Sequence, residues 1–195
     1  ILPSNEVWQG CVYIVSRRSE PGKICKYSEN DQFYFGSLSG NKEKQVRLLS
    51  LLTAAGINAF NPENITDRIW KKFFRISTAA TLTSYYNLPI GKVLDLHTDD
   101  LLALADEFIA VATAMGISFP PNSRDEILEG QRKMPYNSTT SMHSDFLKGA
   151  QTELESITGY IVQCAKDLNI EVPCYLKMYN ELKTNYTNIY NNPNN

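Results

Sequence analysis

The longest run of helical periodicity in the chain lies between about Ile65 and Tyr86. It contains a stretch, "IWKKFFRIS" (69–77), whose cations do not share one face. At about 100° per residue, Ile69, Trp70, Phe73, Phe74, Ile76, Ser77 and Ala80 fall on one continuous arc, with Lys71, Arg75 and Thr78 opposite as a solvent stripe. Lys72 joins neither set and projects at the border, beside Ile76, Ala79 and Thr83. Its methylenes can lie on the core edge with the ammonium lifted into water, or the ammonium can be aimed into a cleft. Periodicity leaves both readings open.

Upstream the pattern is different. Residues 7–37 are rich in β-branched and aromatic residues, in runs ("VWQGCVYIVS", "KICKYS", "QFYFG") separated by the turn signals "PGK" and "SEND". They predict three short antiparallel strands, too few to bury a core unaided. From residue 41 onward the period is helical. Asn41 is placed to cap a helix carrying Val46, Leu48, Leu49, Leu52 and Ala55 inward and ended by Gly56. "NLPIG" stops the long helix, "PIGKVL" opens a short one, and Thr98–Met115 forms the next, closed by Gly116 and Pro120-Pro121. "SRDE" (123–126) reads as a capping box. Segments 139–149, 151–168 and 173–190 complete a helical body over 41–190, and "NNPNN" is expected to fray. The predicted class is mainly α, with a small antiparallel β piece in front.

Composition narrows the function classes. Of 195 residues, 43% are hydrophobic and 21% charged, and 19 basic against 21 acidic side chains leave a net charge of −2. No basic field points to nucleic acid. The most apolar stretch, "LLALADEFIAVATAMGISF", carries Asp106 and Glu107 in its middle and reads as a buried amphipathic helix rather than a membrane span. Cys11, Cys25, Cys164 and Cys174 have no metal-ligand spacing with the histidines, so buried reduced thiols, no metal and a cytoplasmic setting are expected. The chain opens on Ile1 and goes directly into strand-forming residues, which reads as a piece of a longer protein.

Three spots bear on chemistry. Lys72 is the first. The second is "SMHSDFLKGAQTELESITGY" (141–160), where Thr152 can cap the following helix with Glu155 reaching back, leaving Glu153 in the first turn. A carboxylate there is favourable against the helix dipole simply as a solvated residue; held rigidly, it can also accept from a hydroxyl. Ser141 is equally a cap or a ligand, and His143 lacks an identifiable partner. The third is the absence of any G-x-G-x-x-G after a strand, so this sequence has no dinucleotide-binding loop of its own.

The order of these pieces resembles the ketopantoate reductase family (2-dehydropantoate 2-reductases). "ILPSNEVWQGCVYIVSRRSEPGKICKY" followed by "FYFGS" is similar to the closing strands of its cofactor domain. "RIWKKFFRISTAATLTSYYNLPIG" is similar to the first long helix of its substrate domain, and "SMHSDFLKGAQTELESITGYIVQCAKDLNIEVP" resembles its S-M-x-x-D-x-x-x-G-x-x-T-E-I-D-x-I-N-G stretch with a G-I-x-x-P ending. The resemblance implies a two-domain enzyme. Residues 1–38 would be the tail of a Rossmann domain that holds NADPH, and residues 39–195 a helical substrate domain of the 6-phosphogluconate-dehydrogenase-like type. It implies an NADPH-dependent reduction of a 2-keto acid, by default ketopantoate to pantoate in pantothenate and coenzyme A biosynthesis. The fragment alone would be inactive and would bind NADPH weakly, since the phosphate loop lies in the missing part.

The resemblance carries the catalytic lysine onto Lys72, a catalytic and cofactor-binding glutamate onto Glu153, and a substrate-carboxylate contact onto Ser141. Three family asparagines fall on Ile76, Ile90 and Thr158, so two substrate-binding positions, Ile76 and Ile90, are apolar here. Lost amide contacts predict weaker discrimination in favour of a polar keto acid. A more apolar 2-keto acid is therefore the alternative substrate, and a non-catalytic helical dimerisation module the alternative of another class. The partners implied are a small 2-keto acid and the protein's own N-terminal Rossmann domain, with self-association through exposed apolar helix faces, and neither nucleic acid nor membrane.

Overall fold

The computed structural model describes residues 7–190 apart from 28, 30, 38 and 39. The Asn-rich tail expected to fray lies outside them. The chain forms two compact units, Ile1–Lys72 and Phe73–Asn195, with the cut inside one long helix.

In the first unit, β1 (Gln9–Tyr13), β2 (Ser16–Glu20), β3 (Lys23–Lys26) and β4 (Gln32–Gly36) precede α1 (Lys42–Ala54), β5 (Ala59–Phe60) and the first turns of α2 (Ile65–Tyr86). The expectation of three antiparallel strands needs correcting. β1 pairs antiparallel with β4, β4 pairs parallel with β5, and β2 forms a separate hairpin with β3. The polar strand "SRRSE" carries no apolar alternation, so only its pairing with β3 reveals it. Asn41 caps α1 as expected, accepting from the N–H groups of Glu43 (2.8 Å) and Lys44 (3.2 Å). α1 groups with the strands because its buried Gln45 bonds Ser37 O, Gly40 O and the Asn61 amide. Its apolar residues Val46 and Leu51 face solvent.

The second unit holds the rest of α2 with α3 (Ile90–Leu96), α4 (Thr98–Ala114), α5 (Ser123–Arg132), α6 (Ser141–Leu147), a π-helical turn (Glu155–Gly159), α7 (Tyr160–Leu168) and α8 (Pro173–Tyr190). α4 is the hub. Leu101, Leu104, Ala105, Phe108, Val111 and Ala112 are fully buried, and α4 packs on α3, α5, α7 and α8. Phe108 is ringed by Phe73, Phe74 and Phe119. Among the described residues no helix is long and apolar enough to cross a membrane.

The outward stripe of α2 ends sooner than its periodicity predicts. Arg75 is exposed and Lys71 half-buried, but Thr78 is 0% exposed, while Ile76, expected inside, is 40% exposed. From Ser77 to Ser84 every residue of α2 is buried, so this half of the helix has no solvent face. Small and hydroxylated residues make that tolerable, because a hydroxyl can bond locally or to a neighbour; among the described residues only Ser84 Oγ in this stretch has no partner. Thr78 and Thr83 donate to the carbonyls of Phe74 and Ala79, and Ser77 bonds Tyr175 Oη at 2.9 Å.

Two other caps differ from expectation. Asn122, not Ser123, precedes α5, and its amide donates to Glu126 at 2.8 Å while Ser123 is buried in the first turn. Thr152 does accept from Leu154 N, at 3.4 Å, but Glu155 does not reach back. It turns instead to α8, where it accepts from Tyr179 Oη at 2.6 Å. Asn169 closes α7 in the left-handed region (φ 54°), which asparagine tolerates better than most side chains. At the start of α3, Gly91 N donates to Tyr136 O, and an added Cβ on Gly91 would lie 2.2 Å from the Tyr136 ring.

Candidate functional site

Lys72 is the last residue of the first unit, and Ser141 and Glu153 belong to the second. Asn64 accepts from Thr66 N at 3.0 Å and starts α2, which fixes the rotation of Lys72 on that helix. The side chain is half-buried, as is that of Lys71. Its ammonium donates to Val12 O at 2.6 Å and lies 5.7 Å from the centre of the Tyr13 ring. Lys72 therefore lies against the end of β1. One of its three protons is taken by a backbone carbonyl, and two remain for another acceptor. On the same strand, burial pushes the Cys11 thiol up, against the lowering influence of Lys72 and Arg68.

Ser141 and Glu153 rest on common ground. Their neighbours Met142 and Leu154 belong to one core cluster with Ala80, Ile157 and Leu182. Ser141 is the first residue of α6, and the cap role belongs to Thr140, whose hydroxyl accepts from His143 N. Glu153 stands one residue before the helical segment that opens the π-helical turn. Both are exposed, and neither side chain has a hydrogen-bond or ion-pair partner among the described residues. A serine and a carboxylate so placed can donate to and accept from an incoming polar ligand. π-helical turns of this kind often accompany functional sites.

The three positions carried over from family asparagines separate in the structure. Ile76 is 40% exposed and can touch a ligand, whereas Ile90 is 3% exposed and packed in the core. Thr158 is 0% exposed and spends its hydroxyl on Thr81 at 2.8 Å.

Sequence reasoning named His143 but not its partners. It is buried, with Nδ1 against the Thr139 hydroxyl at 2.5 Å and Nε2 against Asn87 Oδ1 at 2.8 Å. Asn87, at the end of α2, is itself left-handed (φ 53°). If Asn87 Oδ1 accepts, the imidazole carries its proton on Nε2 and accepts from Thr139. The ring thus ties the end of α2 to the start of α6. Its partners lie 56 and 4 residues away, and only the nearer could have been guessed. Burial pushes the imidazole below its ordinary range. Below about pH 6.5 the unfolded chain takes up a proton that the folded chain resists. Stability contributed here is therefore complete above about pH 6.5 and declines as the pH falls. Thermal unfolding between pH 7.5 and 5.5 should show Tm falling with pH, and H143Q should flatten that slope. An unchanged slope in the variant would exclude His143 as the source.

The comparisons agree with this architecture. Residues 64–186 match the family described as "Ketopantoate reductase PanE/ApbA C terminal". The chain belongs to the ketopantoate reductase family and carries its C-terminal domain. It is 32% identical over 177 residues to the 2-dehydropantoate 2-reductase of Pyrococcus abyssi, covering 84% of this chain and 55% of that protein. It is 25% identical over 181 residues to an uncharacterized oxidoreductase, YkpB, of Bacillus subtilis, covering 91% of this chain and 60% of that one. Among solved structures, the 2-dehydropantoate 2-reductase of Porphyromonas gingivalis W83 superimposes with a TM-score of 0.76 at 40% identity, covering 90% of this chain and 55% of that chain. The 2-dehydropantoate 2-reductase of Methylococcus capsulatus gives 0.85 at 26% identity, covering 96% and 66%. The chain thus spans 55–60% of the curated relatives described here.

Proposed function

We propose that this chain is the substrate-binding part of an NADPH-dependent 2-keto acid reductase, with 2-dehydropantoate as its default substrate and pantoate as its product, in the supply of pantothenate and coenzyme A. Residues 1–38 would close the cofactor half of the whole enzyme and residues 39–195 form the substrate half. The observation that carries the reading is the folding of the S-M and T-E motifs onto one core cluster, with Ser141 and Glu153 left exposed and unpartnered among the described residues.

NADPH, when bound, supplies the hydride, and its phosphates would be held by a dinucleotide-binding half that precedes this sequence. Of the residues present, Glu153 suits the cofactor's hydroxyls, because its carboxylate is free to accept. Ser141 would donate to the substrate carboxylate. Lys72 would place one of its two remaining N–H groups on the keto oxygen, stabilise the charge that develops there and pass it a proton. Val12 O would hold the ammonium in position through the third.

One observation favours a second substrate class. Of the positions carried over from family asparagines, the exposed one is the apolar Ile76, and Thr158 is already satisfied by Thr81. A site without amide partners gains little from a substrate hydroxyl, so a keto acid with an apolar branch would suit it as well.

The test is NADPH oxidation by the full-length protein, comparing ketopantoate with the same keto acid lacking its hydroxyl, and NADPH with NADH. Preference for ketopantoate by about a hundredfold or more would support the default substrate. Equal or better use of the deoxy analogue would establish the second. No oxidation of NADPH with any 2-keto acid would sink both.

A further inference from the structure

The side chain of Glu153 has no partner of its own among the described residues, so its aim depends on how the backbone around it is held. On one side, Thr152 Oγ1 accepts from Leu154 N at 3.4 Å, and Leu154 is buried in the core cluster. On the other side the chain enters the π-helical turn Glu155–Gly159, a wider and less favoured geometry that needs outside support. Ile157 N donates to Glu153 O at 2.9 Å, so any shift of the turn moves Glu153 with it.

The support comes from α8. Tyr179 Oη donates to Glu155 Oε2 at 2.6 Å, while Lys183 Nζ reaches Glu155 Oε1 at 2.9 Å and Tyr179 Oη at 2.8 Å. The Tyr179 ring is half-buried and packed against the same core cluster, which makes its hydroxyl a fixed donor rather than a mobile one. Gly159 lets that ring close in. A Cβ there would lie 2.9 Å from Tyr179 Cε2 and 3.1 Å from Glu155 Oε2. The hydrogen bond from Tyr179, opposed by burial and helped by Lys183, holds the Glu155 carboxyl below its usual range, so the clamp is charged at neutral pH.

We propose that Tyr179 and Lys183 are positioning residues, which hold Glu153 in its ligand-binding place by clamping the π-helical turn through Glu155. The inference rests on the role given to Glu153 above. An exposed ion pair adds little to stability, whereas a displaced binding group costs rate steeply. The two consequences separate in experiment.

In the full-length enzyme, Y179F keeps the ring and removes the bond. It is expected to lower kcat/KM by roughly tenfold, with Tm lowered by no more than about 3 °C. Combined with E153Q, it should add no further loss, since a clamp has nothing left to position. Should Y179F fail to fold, K183M, at a half-exposed site, makes the same comparison with a smaller expected loss. Full kcat/KM in both clamp variants, or losses that add to that of E153Q, would overturn the inference while leaving the role of Glu153 intact. Full activity of E153Q itself would remove that role and the inference together.

Discussion

Replacing Lys72 by alanine in the full-length enzyme should lower kcat by about a hundredfold or more, the usual contribution of a positioned general acid. The expectation combines the family position of Lys72 with its setting. The side chain is half-buried, and its ammonium donates to Val12 O at 2.6 Å, which leaves two protons without a partner among the described residues. Lys71, its neighbour, has no hydrogen-bond or ion-pair partner among the described residues and is the control. Lys71→Ala should leave kcat unchanged. Steady-state kinetics of the two variants, with Tm measured alongside, decide the matter. Loss of a surface lysine's packing would lower Tm without touching kcat, whereas loss of the acid does the reverse. If Lys72→Ala retains kcat within about threefold, the assignment of the acid is wrong and Lys72 only secures α2 to β1.

The largest expected effect on stability lies at Glu107, which the sequence offered only as a charge interrupting an apolar run. Its carboxylate accepts from Cys174 N at 2.7 Å and Tyr175 N at 2.9 Å, the first free N–H groups of α8. Pro173, the first residue of α8, has no N–H to satisfy, so a side chain from α4 supplies the cap that the local sequence lacks. Tyr175 is fully buried, and water cannot easily replace the lost acceptor. Glu107→Ala should cost about 2–3 kcal/mol, typical for charged hydrogen bonds to backbone N–H groups that are then left bare. For a chain of this size that lowers Tm by about 4–12 °C. Asp106, beside it, pairs with Arg124 at 3.2 Å on the surface with both side chains about half exposed. Asp106→Ala should cost less than about 1 kcal/mol. Thermal denaturation of both variants separates the two carboxylates, and equal losses would refute the capping role.

The sequence determined what depends on neighbours along the chain. Asn41 and Asn64 start their helices through side chains that reach two or three residues ahead, and Gly56 and Asn169 end theirs in left-handed backbone. The β-rich opening, the helical body and the family were legible for the same reason, since each is a local pattern of residue types.

Tertiary structure decided what depends on partners far along the chain. Thr78 reads as surface from its own helix and is buried because other helices enclose α2, while Ile76, read as core, is left open. Lys72 finds a carbonyl 60 residues away, Glu155 a tyrosine 24 away, and Glu107 two N–H groups 67 and 68 away. Helical periodicity gives the direction in which a side chain leaves its own backbone; what it meets there is set by the packing of elements whose order along the chain does not specify their neighbours in space.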